Sequence, residues 1–325
     1  MIPPKLKRGD EIRIVAPATS IDVLSEETKT QAVSVLEGLG YKVSFGKRVY
    51  GHDGFDSTPI EDRVADIHDA FADRNVKALS TVLGGFNSNQ LLPHLDYDLI
   101  RQNPKILCGY SDITVLHNAI YKKTGLVSYN GPHFAMFGMK KGCDYTIEYF
   151  RKCLESSEPF DVLPSAEWSN DKWYLDQVNR TFVKNDGFRV INEGEAEGRI
   201  IGGNQCTFNL LHGTEYMPDL KGSILFLEDD YYCHAKIFDR DLQSVTQQPG
   251  FDGVKGIVIG RFEKASQLQP DVVERIVKGK RELDHIPIIS EADFSHTTPQ
   301  ITFPIGGTVR MSAKKGSASI RILEH

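Results

Sequence analysis

Three short segments of this 325-residue sequence carry side chains suited to acyl transfer. The first is Ile106-Leu107-Cys108-Gly109-Tyr110-Ser111-Asp112-Ile113. An apolar run meets a glycine, a serine and an acid, and apolar residues then resume at helical spacing (Ile113, Leu116, Ala119, Ile120). A serine on a sharp strand-to-helix turn stands clear of the sheet, and the helix start behind it offers free N–H groups and a positive dipole end. This is the logic of a nucleophile elbow, although Ile113 departs from the full GxSxG pattern. The same turn also reads as a plain helix start capped by Ser111 or Asp112. Cys108 is a rival nucleophile, but its place inside the strand suits a buried thiol.

The second segment, Leu225-Phe226-Leu227-Glu228-Asp229-Asp230, ends an apolar strand in three carboxylates. A carboxylate there can orient a histidine and stabilise its imidazolium; a solvated acidic turn is the plainer reading. The third, Ser290-Glu291-Ala292-Asp293-Phe294-Ser295-His296-Thr297-Thr298-Pro299, puts His296 in a loop after an apolar run, where it is available as a general base. Val82-Leu83-Gly84-Gly85-Phe86-Asn87-Ser88-Asn89-Gln90 adds a glycine pair whose unshielded N–H groups could hold an oxyanion, or simply make a tight turn before a capped helix. Serine, acid and histidine at strand ends are the set that acyl hydrolysis requires, but spacing alone does not bring them together. The other nine histidines are scattered, without HxxxH or Cys/His ligand spacing, so no metal site is expected.

The elements that must position these groups alternate in type. Apolar runs predict strands at Glu11–Ala16, Tyr41–Phe45, Val76–Leu83 and Lys105–Cys108. Residues 25–39 and 60–74 read as amphipathic helices, the first stopped by Gly40. This alternation implies a parallel sheet covered on both faces. Residues 157–190 show no long helical period and read as a linker followed by a long functional loop. Beyond it, strands are expected at Glu197–Ile201, Ser223–Leu227, Gly256–Ile259, Pro287–Ile289, Thr308–Met311 and Ala318–Leu323, with helices over 234–247 and 270–283. The expected organisation is an N-terminal α/β domain over 1–160 carrying the nucleophile, a linker and Trp-containing loop over 161–190, and a strand-rich α/β domain over 191–325 carrying the acid and the histidine.

Composition agrees with a two-domain globular chain: 40% of residues are hydrophobic and 25% charged. The net charge of −6, with scattered basic residues, argues against a nucleic-acid partner. The start has no signal-peptide pattern and no run is apolar enough to cross a membrane. The five cysteines (108, 143, 153, 206, 233) include no CxxC pair and read as reduced, mostly buried thiols of a cytoplasmic protein.

At these motifs the sequence resembles the LD-carboxypeptidase and microcin C self-immunity family of serine peptidases. The likeness spans nearly the whole chain. It begins at Pro3-Pro4-x-Leu6-x-x-Gly9-Asp10 and Ile14-Val15-Ala16-Pro17. It continues through Gly84-Gly85-Phe86-Asn87-Ser88-Asn89, Gly109-Tyr110-Ser111-Asp112, Gly202-Gly203-Asn204 and Leu227-Glu228-Asp229, and ends at Asp293-Phe294-Ser295-His296. The resemblance implies a flavodoxin- or glutamine-amidotransferase-like parallel-sheet domain followed by a smaller strand-rich α/β domain, usually in a homodimer. It implies Ser111 as nucleophile, Glu228 as orienting acid and His296 as base. The N–H groups of Gly85 and Asp112 would form the oxyanion hole, and no cofactor is implied.

Plain LD-carboxypeptidases typically follow the glycine pair with Tyr-Gly. Here Phe86-Asn87-Ser88-Asn89-Gln90 and the segment Glu167–Gln177 look like the microcin-immunity branch. That branch implies cleavage of the amide or phosphoramidate bond of a peptidyl- or aminoacyl-nucleotide, with Asn204, Asn87 and an exposed tryptophan contacting substrate. Trp173 is the choice over Trp168, and either could equally be a hydrophobic plug. After Glu228 the chain reads Asp229-Asp230-Tyr231-Tyr232-Cys233-His234, where the resemblance leads one to expect a lysine, so a phosphate contact is not carried over. Two other functions fit the sequence: removal of a terminal D-Ala from murein tetrapeptides, and non-catalytic binding of an anionic ligand between the domains.

Overall fold

The computed structural model describes all 325 residues. The N-terminal part builds β1 (Glu11–Val15), β2 (Lys42–Phe45), β3 (Val76–Thr81), β4 (Ile106–Gly109) and β5 (Ser128–Asn130), parallel neighbours in the spatial order β5-β4-β3-β1-β2. Between and after them run α1 (Glu26–Gly38), α2 (Ile60–Ala72), α3 (Tyr97–Gln102), α4 (Thr114–Thr124) and α5 (Asp144–Glu155). Ser25 starts α1 by accepting a hydrogen bond from the Thr28 N–H, and the helix buries Ala32 and Leu36. Gly125, at φ 73°, ends α4 in the left-handed conformation that glycine adopts without steric penalty.

The remainder forms β6 (Phe160–Val162), β7 (Glu167–Trp168), β8 (Val183–Lys184), β9 (Arg189–Asn192), β10 (Gly194–Asn204), β11 (Ser223–Glu228), β12 (Gly256–Gly260), β13 (Ile288–Ala292), β14 (Phe303–Ile305), β15 (Thr308–Lys314) and β16 (Ser317–Glu324). The helices are α6 (Gln205–Asn209), α7 (Ala235–Thr246) and α8 (Pro270–Lys278). Eight of these strands make the second sheet, in the order β6-β16-β15-β10-β11-β12-β13-β9. Its centre, β10 to β13, is parallel; its flanks are antiparallel. Every residue of β11 and β12 is buried, as strands covered on both faces require. In β15 buried residues alternate with less buried ones, as at a half-covered flank.

The fold is therefore α/β, with a parallel-rich first sheet and a strand-rich second part, as the sequence predicts. The sheets also exchange strands. β14, late in the chain, closes the first sheet antiparallel to β5, and β6 forms an edge of the second. The segment 157–190, read as linker and loop, contains β6, the β7–β8 hairpin and the start of β9. Strands this short carry too little periodicity to register in sequence. The helix expected over 270–283 stops at Lys278, next to Gly279, and only a 3-10 turn follows at Arg281–Leu283.

Candidate active site

β4 ends at Gly109, and a side chain there would collide with the Thr81 hydroxyl, so only glycine lets the two strands approach. Two residues later Ser111 adopts φ 58°, a left-handed conformation uncommon outside glycine. Strain of this kind persists only where surrounding packing enforces it. The fully apolar β4 on one side and the buried start of α4 on the other supply that packing. Gly84 lies against the serine: a Cβ added there would stand 3.0 Å from Ser111 Cβ and 3.1 Å from its Oγ. Asp112 turns inward. Its Oδ2 accepts from the N–H groups of Asn87 (3.0 Å) and Ser88 (2.9 Å), and its carbonyl accepts from Ser88 Oγ (2.6 Å). The serine turn and the glycine turn thus form one hydrogen-bonded unit. The N–H groups of Gly85 and Asp112 donate to no protein acceptor.

The acid arrives from the other sheet. Glu228, last residue of β11, is 1% exposed. β11 pairs in register with β10, setting Asn204 opposite Glu228. α4, the helix behind the serine, docks onto β10 through side chains: Thr114 Oγ1 accepts from the Asn204 N–H (2.9 Å), Asn118 Nδ2 donates to the Gly202 carbonyl (2.8 Å), and Asn118 Oδ1 accepts from the Gly202 N–H (3.2 Å). Gly203 permits this approach, since a side chain there would meet Thr114. Serine and acid are therefore joined through α4, β10 and β11 by explicit bonds.

The histidine loop follows β13. Asp293 anchors it, fully buried and accepting from the Ser165 N–H (2.7 Å), Asn185 Nδ2 (3.2 Å) and Arg261 Nη2 (3.4 Å). Burial raises its pKa, against the pull of those partners. Ser295 Oγ donates to the Asp229 carbonyl (3.2 Å), tying the loop to the acid turn. The outcome is a relay: His296 Nε2 lies 3.0 Å from Ser111 Oγ, and His296 Nδ1 lies 2.9 Å from Glu228 Oε2. Burial opposes a charge on His296, but Glu228 outweighs it and, with Asp230 and Glu263, pushes its pKa up to about 9. Asp229 is driven up to about 6 by burial and by the neighbouring Glu228.

The structure thus brings Ser111, Glu228 and His296 together, with Gly85 and Asp112 beside them. Two of the residues expected to contact substrate also have partners inside the fold. Asn87 exchanges hydrogen bonds with Ser57 (Nδ2 to Oγ 2.7 Å) and its Oδ1 accepts from Arg63 Nη1 (3.1 Å), so it holds the glycine turn. Asn204 is buried, caps α6 by accepting from the Thr207 N–H (3.2 Å) and donates to Asp229 Oδ1 (3.3 Å). Both side chains therefore brace the turns beside the serine and the acid. Trp173 is half-buried against the small cluster of Met136, Met139 and Cys143, which also receives Tyr110. Trp168 lies apart, with Arg261 Cζ 4.8 Å and Lys264 Nζ 5.2 Å from its ring centroid. It lines a cavity of about 670 Å³ that does not include the serine or the histidine. Cys108 is buried and its thiol pushed far up by burial, so it stays protonated and inert, whereas Cys206 is exposed.

Sequence reasoning missed His133. Its ring stacks near Tyr110 (4.3 Å between centroids), which in turn faces His296 (5.2 Å). His133 Nδ1 is 2.7 Å from Thr81 Oγ1, and burial, then His296, holds its pKa well below the usual range, keeping it neutral. It also missed Thr114 and Asn118, whose only signal was the Gly202-Gly203 pair they pack against.

A parallel-rich α/β sheet with a serine at a strand-to-helix turn, facing a histidine and a buried glutamate, defines a class of serine hydrolases. The chain belongs to the LD-carboxypeptidase family of serine peptidases: its N-terminal domain model matches residues 12–131 and its C-terminal domain model residues 197–311. The chain is 57% identical to the putative carboxypeptidase YocD of Bacillus subtilis, over 99% of each. It is 33% identical to the microcin C7 self-immunity protein MccF of Escherichia coli, over 97% of this chain and 94% of that one. A probable murein peptide carboxypeptidase of B. subtilis is 30% identical, over 98% and 93%. Among solved structures, an MccF-like protein of Bacillus anthracis superposes with a TM-score of 0.99 at 54% identity, each chain fully covered. MccF in complex with aspartyl sulfamoyl adenosine gives 0.90 at 30% identity, over 100% and 99%.

Proposed function

We propose that Ser111, His296 and Glu228 are the catalytic triad of a hydrolase that cleaves the amide or phosphoramidate bond of aminoacyl- or peptidyl-nucleotides. The observation that carries this reading is the relay of 3.0 and 2.9 Å across three distant chain segments. His296 Nε2 takes the Ser111 proton as Oγ attacks the carbonyl carbon. The N–H groups of Gly85 and Asp112 receive the oxyanion. His296 then passes its proton to the leaving nitrogen as the C–N bond breaks, which leaves an acyl-serine. Water, deprotonated by His296, attacks the ester, releasing a carboxylate and regenerating Ser111. Glu228 holds the Nδ1–H throughout and stabilises the imidazolium.

The likeness to MccF, whose structures hold aminoacyl sulfamoyl nucleotides, supports the nucleotide substrate, with Trp173 beside the site as a ring contact. A second reading has equal support from relatives named for murein peptides: the same triad removes a terminal D-Ala from a murein tetrapeptide. A mass-spectrometric assay of wild type and Ser111→Ala on a peptidyl-adenylate phosphoramidate and on the tetrapeptide separates them. Serine-dependent cleavage of the first alone establishes the nucleotide reading, and of the second alone the murein reading. A chain that cuts neither and leaves Ser111 unlabelled by a serine acylator is a binding protein. We also place the enzyme in the cytoplasm as a homodimer, in keeping with its free cysteines; no helix is long and apolar enough to cross a membrane. Light scattering of the purified chain tests the dimer.

A further inference from the structure

Large rings left in water are a feature to explain when they cluster. Phe86 is 80% exposed, Tyr232 59% and Tyr231 47%. Phe86 directly follows the glycine turn that lies against Ser111, and the two tyrosines closely follow Glu228. The rings come from loops of different sheets and still meet: Phe86 and Tyr232 are 6.3 Å apart at 61° between planes, and Tyr231 and Tyr232 4.1 Å apart at 35°. Tyr174, from the long loop and also mostly exposed, is within electrostatic reach of Tyr231.

The charge around them narrows what they could hold. Asp230, next to Tyr231 in the chain, and Glu263 both favour the charged form of His296, and neither forms an ion pair with a lysine or arginine. An anionic group is repelled here, whereas an uncharged aromatic ring offers a face to stack and no charge to oppose. Resting on the reading of this site as hydrolytic, we propose that Phe86, Tyr231 and Tyr232 form a stacking subsite at its mouth that takes a planar, uncharged aromatic ring carried by the substrate. The ring can come from an aromatic acyl side chain or from a nucleobase, and substrates bearing one are selected through KM.

The test compares wild type with Phe86→Ala/Tyr232→Ala on four N-acylphosphoramidates: phenylalanyl and alanyl forms, each as the adenosine and as the ethyl ester. Both residues are exposed, so the variant should fold. KM should rise about tenfold more for ring-bearing than for ring-free substrates, the size of one lost stacking contact, while kcat carries no such selectivity. A rise confined to the phenylalanyl pair assigns the ring to the acyl side, and one confined to the adenosine pair assigns it to the base. An equal change on all four overturns the subsite. If wild type cuts none, the hydrolytic substrate assignment fails separately, and binding decides the subsite. N-acetylphenylalaninamide and adenosine are titrated into Ser111→Ala, with tyrosine and phenylalanine ring resonances as the readout. Saturable shifts that are lost when Phe86→Ala and Tyr232→Ala are added to Ser111→Ala support it. Absence of saturation with both probes, including the case where a second copy of the chain covers the rings, overturns it.

Discussion

The two strand ends that meet at the site are built on opposite principles. At the end of β4 the backbone itself is unusual: Ser111 sits at φ 58°, Gly84 leaves no room for a side chain against it, and Asp112 is drawn inward. At the end of β11 the backbone is ordinary and the environment does the work: Glu228 is sunk at the end of an all-buried strand, and its carboxylate has His296 as its side-chain hydrogen-bond partner. A nucleophile must be exposed at a defined angle, so its position is fixed by local conformation. An orienting acid must keep a strong field, so its position is fixed by burial, where charge is poorly screened.

The largest effect should come from Ser111→Ala, which removes the proposed nucleophile. A loss of kcat on the order of 10⁶ is expected, with substrate still bound to the variant by calorimetry. Glu228→Gln keeps shape but loses the charge that fixes the His296 tautomer. Stopped assays should show a drop on the order of 10⁴, and a variant retaining full rate would remove the acid from the triad. Gly84→Ala strikes the nucleophile end alone, pushing the serine by a fraction of an ångström, and roughly 100-fold in kcat is expected with little change in melting temperature.

The pH dependence distinguishes the two ends further. In the proposed mechanism His296 must be neutral to accept the serine proton, and its pKa is held up at about 9, so kcat/KM should climb as pH rises toward that value. In Glu228→Gln the inflection should move down toward the ordinary imidazole range. The same raised pKa stabilises the fold: its contribution is complete below the unfolded value of about 6.5 and is lost as pH rises through about 9, which thermal melts across that window would register. The smallest effect belongs to the brace between the ends. Asn204→Ala removes the α6 cap and a bond to Asp229, and denaturant unfolding should show a loss of about 1 kcal/mol.

The groups of the relay were legible because each sits at the end of an apolar strand, where the change from apolar to polar sequence marks the turn. Gly109 and the Gly84-Gly85 pair marked turns, and the structure shows what approaches them. Other features were not legible. Asn87 and Asn204 look like free amides in sequence, and only packing reveals that Ser57, Arg63, Thr207 and Asp229 occupy them. His133 gave no signal because a buried histidine differs from a loop histidine only in its surroundings. The strand exchange by β6 and β14 was invisible, because pairing partners far apart in sequence leave no local pattern.

By itself the sequence determined the element types, the turns at which chemistry could occur and the family to which the chain belongs. The elements and turns follow from hydrophobic periodicity and from residues whose backbone freedom is local, and the family from the resemblance of its motifs. The tertiary structure alone decided that Ser111 and His296 stand at hydrogen-bonding distance, that α4 is latched to β10, and that three exposed rings from two loops gather together. Each of those depends on side chains from distant segments sharing one small volume, and no local rule of the chain specifies that.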